Sequence, residues 1–188
     1  ALLEGNGGQM LKVENGVTIP TFSSKESAEA YQLTADMVKN KSAIHASNDE
    51  GFQTFLNGKL GMVVTTIGKR ENFESSAKFD LRGAKFPLFD GKERKLPAGG
   101  NMLMIMAKSP EDQQAAWRFM KFLLSADSTE KWTKGTGYLP PTIVEKGTGI
   151  DRFLTENKLM SVAARQMPDM GQWASFSGSN GLKAEQIL

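Results

Sequence analysis

The sequence predicts an α/β protein, because short apolar segments alternate along the chain with longer amphipathic ones. The segments 60–66, LGMVVTT, and 101–108, NMLMIMAK, have the length and composition of buried strands. The segment 109–125 has apolar residues at helical spacing, and it begins with Ser109 and Pro110, which are typical of a helix start. Strand and helix signals of this kind recur along the chain, and the predicted fold class is therefore α/β.

The weaker signals fill in the remaining elements. Asn15-Gly16 predicts the turn of a hairpin over 9–19, and Ser23 with Glu26 predicts a capping box for a helix over 23–41. Further elements are expected as a strand at 79–87, irregular segments at 87–100 and 167–180, and helices at 47–59, 68–77, 126–134, 150–156, 158–166 and from 181.

We expect the helix over 109–125 to bury one side. Its apolar stripe consists of Ala116, Phe119, Met120 and Leu123. Trp117 and Trp132 both lie in amphipathic helices, and we therefore predict that they are core residues.

The composition excludes several classes of protein. Of the 188 residues, 39% are apolar and 23% are charged, and the net charge is only +2, which argues against a nucleic-acid or membrane-surface partner. The absence of cysteine excludes disulfides and thiolate metal sites. No apolar run reaches the roughly 20 residues of a membrane helix. The chain starts without a methionine or a basic leader, and we expect it to be a segment of a longer protein.

Catalytic signals are weak. His45 is the one histidine, and without a second histidine or a nucleophile motif nearby we expect it to have a surface or capping role. There is no phosphate-binding glycine loop. Acidic pairs such as Asp49 with Glu50 lie where helix first turns favour acids. The residues therefore indicate no catalytic group, no metal and no cofactor.

The stretch 134–142, KGTGYLPPT, has an unusual construction. We expect Gly135 and Gly137 to end a helix and the two prolines to keep the chain extended. Tyr138 then lies on a stiff turn, where it is either a packed turn residue or a side chain presented to a ligand.

Three stretches in this order resemble one family. They are Phe55 to Met62 with the loop that follows, Gly99-Gly100 with the helix containing Ala116-Trp117, and Thr136 to Pro140. The set resembles the C-terminal half of the carbohydrate-binding solute-binding proteins of ABC importers, including maltose-binding and glycerol-3-phosphate-binding proteins.

The resemblance implies a periplasmic-binding-protein-like fold of type II, with two α/β lobes, of which this chain is a partial piece. Residues 1–96 would belong to the C-terminal lobe, 97–138 would cross to the N-terminal lobe, and 139–188 would return. The protein would be a periplasmic or extracellular monomer, free or lipid-anchored, that delivers a small-molecule ligand to the transmembrane subunits of an ABC permease.

A sugar site needs hydrogen-bonding groups and an aromatic face. On the resembling stretches, the candidate ligand-binding residues are Thr65, Thr66, Lys69, Gly99, Gly100, Tyr138 and Trp173. Each also has a structural interpretation: strand-end threonines, a solvated lysine, a glycine bend, or packed aromatic residues.

Other ligands and functions stay open. The glycerol-phosphate members have an arginine in the loop that matches 167–180, and this loop has no basic residue, so an uncharged sugar is favoured. Lys69 and Arg70 are the basic residues that could replace it, although each is also interpreted as a solvated residue, since most lysines and arginines are exposed. An enzyme such as a glycosidase would need two facing carboxylates. Apart from Glu111 and Asp112, which lie where the first turn of a helix favours acids, the three stretches offer only Glu71. A structural or interaction domain would bind no small molecule.

Overall fold

A computed structural model describes residues 1–176, 181 and 183 of the chain. Its regular elements are helices and a few short strands. In chain order they are α1 (Leu2–Gly5), β1 (Leu11–Glu14), β2 (Val17–Pro20), α2 (Lys25–Lys39), α3 (Asn48–Leu56), a 3-10 turn (Ile67–Lys69), α4 (Arg70–Ser76), β3 (Leu96–Ala98), α5 (Pro110–Leu123), α6 (Ala126–Thr136), α7 (Gly149–Glu156), α8 (Lys158–Ala164), a 3-10 turn (Met167–Asp169) and β4 (Met170–Gln172).

The chain forms two compact units. Unit 1 comprises Ala1–Ser47, Phe86–Gly99 and Pro168–Leu188, and unit 2 comprises Asn48–Lys85 and Gly100–Met167. The division of the sequence between two lobes stays a prediction. The helix expected from 181 lies largely outside the described residues.

Unit 1 begins with the expected hairpin. Strands β1 and β2 pair antiparallel, and Leu11 lies opposite Pro20. Asn15 and Gly16 both have positive φ, 51° and 76°, as a tight two-residue turn requires. The Asn-Gly prediction is therefore confirmed.

The start of α2 differs from the predicted capping box. Ser24 is the N-cap, and its hydroxyl oxygen accepts a hydrogen bond of 3.2 Å from the Ser27 amide. Ser23 was the wrong choice because three successive polar residues at 23–25 leave the starting position ambiguous in sequence. The same helix is anchored by Asn6, whose side-chain amide donates to the Glu26 carbonyl over 2.8 Å.

A short parallel pair completes unit 1. Strands β3 and β4 pair in register, with Leu96 opposite Met170. Both lie in segments that we expected to be irregular, since three residues are too few for a periodic signal. Just before the strands, the Arg94 guanidinium donates to the Asp169 carboxylate over 2.8 Å and to the Phe86 carbonyl, and Arg94 is largely buried.

The core of unit 2 lies around α7 and α8. Ile150, Leu154 and Met160 are buried together. The helices begin where side-chain caps exist: Thr148 accepts from the Asp151 amide at 3.3 Å, and Asn157 accepts from the Met160 amide at 2.9 Å. Partly buried apolar residues pack around this core, namely Ile67, Leu139, Val144, Phe153 and Ala164.

Four phenylalanines make a second cluster in unit 2. The Phe73 ring lies 5.6 Å from the rings of both Phe52 and Phe55, and Phe55 lies 5.3 Å from Phe79, measured between centroids. Such edge and tilted contacts join α3 to α4.

A buried arginine links α4 to the core of unit 2. Arg70 is 8% exposed, forms an ion pair with Glu74, and lies 5.6 Å from the Phe153 ring centroid. Glu74 also accepts from the Asn157 side-chain amide over 3.1 Å. The interpretation of Arg70 as a solvated residue was wrong, because Glu74 of α4 and the Phe153 ring of α7 accompany its guanidinium in the interior. Its Nε is buried and has no hydrogen-bond partner among the described residues.

Three predicted strands do not form. The segments 60–66, 79–87 and 101–108 contain no strand. A strand exists only when a neighbour supplies a hydrogen-bonded ladder, and no described residue does so here. The composition of a segment shows that it could form a strand, but it does not show whether a neighbouring strand is present to pair with it.

The two tryptophans that we predicted to be buried are exposed. Trp117 in α5 and Trp132 in α6 are 51% and 59% exposed, and α5 buries none of its residues. The helix itself is confirmed, including its Ser109 cap at 3.1 Å from the Asp112 amide. Within the described ranges, no helix has both the length and the apolar character to cross a bilayer.

Helix α6 ends at one glycine only. Gly137 has a φ of 76°, and its amide donates to the Thr133 carbonyl over 3.0 Å. Gly135 lies inside the helix with no atom within 4 Å of the Cβ position it lacks, so the expectation that both glycines end the helix was half wrong.

These two glycines make a matched pair. Gly137→Ala should lower the free energy of unfolding by about 1 kcal/mol, because alanine rarely adopts a left-handed backbone. Gly135→Ala should raise it by about 0.5 kcal/mol, because alanine favours the helix. Urea denaturation followed by circular dichroism measures both, and equal effects of the two substitutions would contradict the assignment.

Arg70 gives a second prediction. Arg70→Ala should destabilise the protein by about 2 kcal/mol or more, since it leaves the partly buried Glu74 carboxylate without its positively charged partner. The control is Lys25→Ala, whose ion pair with Glu29 is exposed and should contribute less than about 1 kcal/mol. Similar losses in the two variants would show that Arg70 is not a structural link.

Candidate functional site

The seven predicted ligand-binding residues divide between the two units. Gly99 and Trp173 belong to unit 1, and the other five belong to unit 2. Within unit 2 the structure brings Tyr138 onto the turn that contains Thr66 and Lys69. It brings Thr65 and Gly100 into no such contact: Thr65 is exposed, and no atom lies within 4 Å of the missing Gly100 Cβ.

The turn after residue 65 is built by a side-chain cap. The Thr66 hydroxyl accepts a hydrogen bond of 3.3 Å from the Gly68 amide and so starts the 3-10 turn Ile67–Lys69. This bond gives Thr66 a structural role as a cap. From the sequence, its structural interpretation was that of a strand-end threonine. The bond also fixes the backbone of Gly68, on which the next feature depends.

Tyr138 packs on Gly68. A Cβ atom placed on Gly68 would lie 3.2 Å from the ring carbon Cζ and 3.3 Å from the hydroxyl oxygen of Tyr138. The tyrosine is still 46% exposed. The missing side chain of Gly68 therefore leaves room for one part of the tyrosine, while the rest of the ring is open to solvent.

The turn at Tyr138 is held from its own side as well. Gly137 is left-handed, and the Tyr138 amide donates to the Thr136 hydroxyl over 3.3 Å. The turn that the sequence predicted to be stiff thus has specific hydrogen bonds on both sides of the ring contact.

Trp173 packs on a glycine in unit 1 in the same manner. Ala98 lies opposite Gln172 in the parallel pair, so the next residues, Gly99 and Trp173, follow side by side. A Cβ on Gly99 would lie 3.1 Å from the indole carbon Cε3, yet Trp173 is 54% exposed. Both residues lie at the carboxyl ends of parallel strands, where open α/β sheets bind ligands. Sequence reasoning named both residues but missed the strand pairing that joins them.

Lys69 lies beside a polar groove in unit 2. Its ammonium lies 5.5 Å from the Phe52 ring centroid, a cation–π geometry. The groove has a volume of about 750 Å³ and is lined by Asp49, Phe52, Gln53, Gly68, Lys69, Glu71, Asn72 and Ser75. Sequence reasoning attributed Asp49 to helix capping and did not name Gln53 or Asn72, because their convergence depends on how α3 packs against α4.

Basic groups near Tyr138 are limited. Arg70 is buried and ion-paired, and Lys69 is the exposed cation on the same turn. Over residues 1–176, no three carboxylate or histidine side chains converge in a way that could hold a metal ion. The arrangement therefore offers aromatic faces, hydroxyls and amides, the groups that contact polyhydroxylated ligands.

Known structures share this fold. The cyclic alpha-maltosyl-1,6-maltose binding protein from Arthrobacter globiformis superposes with a TM-score of 0.79 at 22% identity, covering 94% of this chain and 44% of that one. A cyclo/maltodextrin-binding protein complexed with maltotetraose gives 0.70 at 17% identity, covering 91% and 44%. UgpB from Mycobacterium tuberculosis, in complex with glycerophosphocholine, gives 0.73 at 24% identity, covering 92% and 44%.

The chain spans less than half the length of these three proteins. The likeness shows that it has part of a two-lobe, periplasmic-binding-protein-like α/β fold, as the family resemblance implied. Among curated proteins, none matches at significant sequence similarity.

The sequence itself identifies the family. The profile described as bacterial extracellular solute-binding protein matches residues 3–144, which is well over half of the chain. The resemblance inferred from the three motif stretches is confirmed. The chain belongs to the bacterial extracellular solute-binding protein family.

Proposed function

We propose that the chain is part of the solute-binding component of an ABC importer and that its ligand is a sugar or oligosaccharide. The protein would bind the sugar in the cleft of its two-lobe fold and deliver it to a membrane permease. It would act in the periplasm or outside the cell, without catalysing a reaction on the sugar.

The observation that carries the sugar proposal is the pairing of each predicted aromatic residue with a glycine. Tyr138 on Gly68 and Trp173 on Gly99 each have one part of the ring against backbone and about half of the side chain open. A ring supported in this way can stack on the C–H face of a sugar with little loss of side-chain entropy. The two residues lie in different units, and each is therefore proposed, and tested, separately.

Two of the similar structures have names or bound ligands that are maltose-type sugars, and the third holds glycerophosphocholine. A phosphorylated polyol such as glycerol 3-phosphate is therefore the second candidate ligand. Its phosphate would need a cation, and Lys69 on the turn below Tyr138 is exposed, whereas Arg70 is occupied by Glu74. Since the loop 167–180 has no basic residue, the uncharged sugar is preferred.

The ligand class is tested by a thermal-shift panel on the whole protein. The panel contains maltose, longer maltodextrins, glycerol 3-phosphate and glycerophosphocholine. A ligand at about 100 times its Kd stabilises the folded state by about 2.7 kcal/mol, which gives a clear rise in Tm. We expect maltodextrins to raise the Tm, and the bound sugar should be recovered unchanged by chromatography. A shift with the phosphate compounds alone would replace the sugar by the second candidate, and a hydrolysed sugar would contradict a pure binding role.

The two aromatic residues have matched controls in the same chain. Tyr138→Ala and Trp173→Ala should each weaken sugar binding about tenfold or more, since a central aromatic contact contributes above 1 kcal/mol. Tyr31→Ala and Trp132→Ala remove rings of similar exposure, 48% and 59%, and should leave the Kd unchanged. Isothermal titration calorimetry gives the four values. If a variant loses no more affinity for the sugar than its control does, the ring it lacks is not part of the sugar site.

The glycine contact can be tested without removing the ring. Gly68→Ala should push the Tyr138 ring by a few tenths of an ångström, because the new Cβ would lie 3.2 Å from Cζ. We expect a several-fold rise in the sugar Kd and little change in stability, since the half-exposed ring can move. Gly135→Ala, where no atom lies within 4 Å of the new Cβ, is the control and should bind normally. Normal binding by Gly68→Ala would mean that the position of the ring is not critical.

A further inference from the structure

The parallel pair that leads to Trp173 is short for a sheet that has to keep one register. Strands β3 and β4 have three residues each. A parallel pair is slightly less stable per residue than an antiparallel one, and no tight turn can join its strands and fix their alignment. A slip of one residue would turn every side chain of a strand to its other face. The contact of Trp173 with Gly99 depends on the alignment of the two strands, which therefore need a restraint outside the ladder.

An ion pair lies at the amino ends of both strands. Arg94 stands two positions before Leu96 of β3, and Asp169 comes directly before Met170 of β4. The Arg94 Nη1 donates to the Asp169 Oδ2 over 2.8 Å, and only 13% and 28% of the two side chains are exposed. These residues are 75 positions apart in the chain. The pair therefore joins the starts of two strands that no local turn connects.

The Arg94 guanidinium is held at a second point. Its Nε donates to the Phe86 carbonyl while its Nη1 donates to Asp169. The bond to Phe86 closes the segment 86–94, which leads into β3, so the guanidinium is fixed relative to the backbone of that segment. A lysine would have the charge but would lack the planar fork that serves two acceptors at once. An arginine at this position thus restrains geometry as well as balancing a charge.

The neighbouring charges are arranged differently. Glu93 and Lys95 flank Arg94 and form an ion pair of their own, but their side chains are 83% and 50% exposed. Exposed pairs of this kind contribute little to structure. Burial and the second acceptor therefore distinguish Arg94 from the charged residues beside it.

We propose that Arg94 and Asp169 are positioning residues, which place the Trp173 ring for the ligand by fixing the register of β3 and β4. This inference rests on the proposed sugar site, of which Trp173 is the part in unit 1. Asp169 lies four positions before Trp173, which is about 13 Å along an extended strand. The carboxylate therefore acts on the ring through the strand backbone and not by touching the ring or the sugar.

Fluorine NMR of the whole protein labelled with fluorotryptophan tests this link without a ligand. The line that disappears in Trp173→Phe belongs to Trp173, and Trp132→Phe identifies a reference line from unit 2 in the same way. In Asp169→Ala we expect the Trp173 line to shift or broaden, because the strands lose their restraint, and the Trp132 line to stay in place. Glu93→Ala removes the exposed pair beside Arg94 and should move neither line.

A Trp173 line that is unchanged in Asp169→Ala, or that changes no more than the Trp132 line, would overturn the inference. If the alanine variant does not fold, Asp169→Asn takes its place, since it removes the charge and keeps the shape of the side chain. The same line should then move in the same way.

Sugar affinity shows whether the positioning serves the ligand. The Kd for maltotetraose is measured by isothermal titration calorimetry in the wild type, Asp169→Ala, Trp173→Ala and the double variant. We expect Asp169→Ala to raise the Kd about fivefold in the wild type and to raise it no further in Trp173→Ala, because its effect passes through the ring. Losses that multiply in the double variant would overturn the inference, since Asp169 would then act independently of Trp173.

Failure of the positioning role and failure of the sugar site give different results. If Trp173→Ala loses affinity but the fluorine line does not respond to Asp169, the sugar site stands and the positioning role is wrong. If Trp173→Ala binds maltotetraose normally, the sugar site loses its part in unit 1, and the positioning role for a ligand is overturned with it. If the wild type binds no maltotetraose, this sugar is wrong, and the fluorine spectra still decide whether the ion pair places the ring.

Discussion

The arrangement of unit 2 depends on the buried guanidinium of Arg70. It is paired with Glu74 on its own helix, lies over the Phe153 ring of α7, and through Glu74 connects to Asn157, which caps α8. The left-handed Gly137 lies against it, since a Cβ there would meet the Arg70 Nε at 3.5 Å. Arg70 therefore lies next to both the turn at Gly68 and the turn at Tyr138, and the ring contact between the two turns is formed beside this buried cation.

The two glycine–aromatic contacts both support a half-exposed ring, but different elements of structure provide the support in each unit. A ring that binds a sugar must expose a face to water before the ligand arrives, and an exposed side chain usually samples several rotamers. Support from a residue without a side chain restrains the ring and still leaves it accessible. In unit 2 the support comes from a capped 3-10 turn. In unit 1 it comes from the register of β3 and β4, braced by the pair of Arg94 and Asp169.

Local signals in the sequence predicted local structure well. The Asn15-Gly16 turn and the Ser109-Pro110 helix start depend on neighbouring residues alone, and both were correct. The strand at 101–108 was wrong in this structure because a strand depends on a partner that sequence composition cannot supply. The prediction that Trp117 is buried was also wrong, because the sequence of an amphipathic helix does not show which element covers its apolar side.

For the candidate site, too, the sequence indicated what depends on neighbouring residues and missed what depends on packing between distant ones. Tyr138 stood out because its sequence context is unusual, and Trp173 was named as an aromatic residue of the loop 167–180 after the family resemblance suggested a sugar. Gly68 was not singled out, although it is the residue on which Tyr138 packs. That contact joins residues 70 positions apart, and only the packing of the turn near Arg70 reveals it. Likewise Asp49 reaches the polar groove through the packing of α3 on α4.

The central claim is that the Tyr138 ring, supported by Gly68, is a platform for a sugar. A crystal structure of the whole protein with a bound maltodextrin tests it most directly. The account predicts carbon atoms of a sugar ring within about 4 Å of the Tyr138 ring, with Gly68 still in contact with the tyrosine. A bound sugar that leaves Tyr138 in contact with protein or water alone would contradict the account.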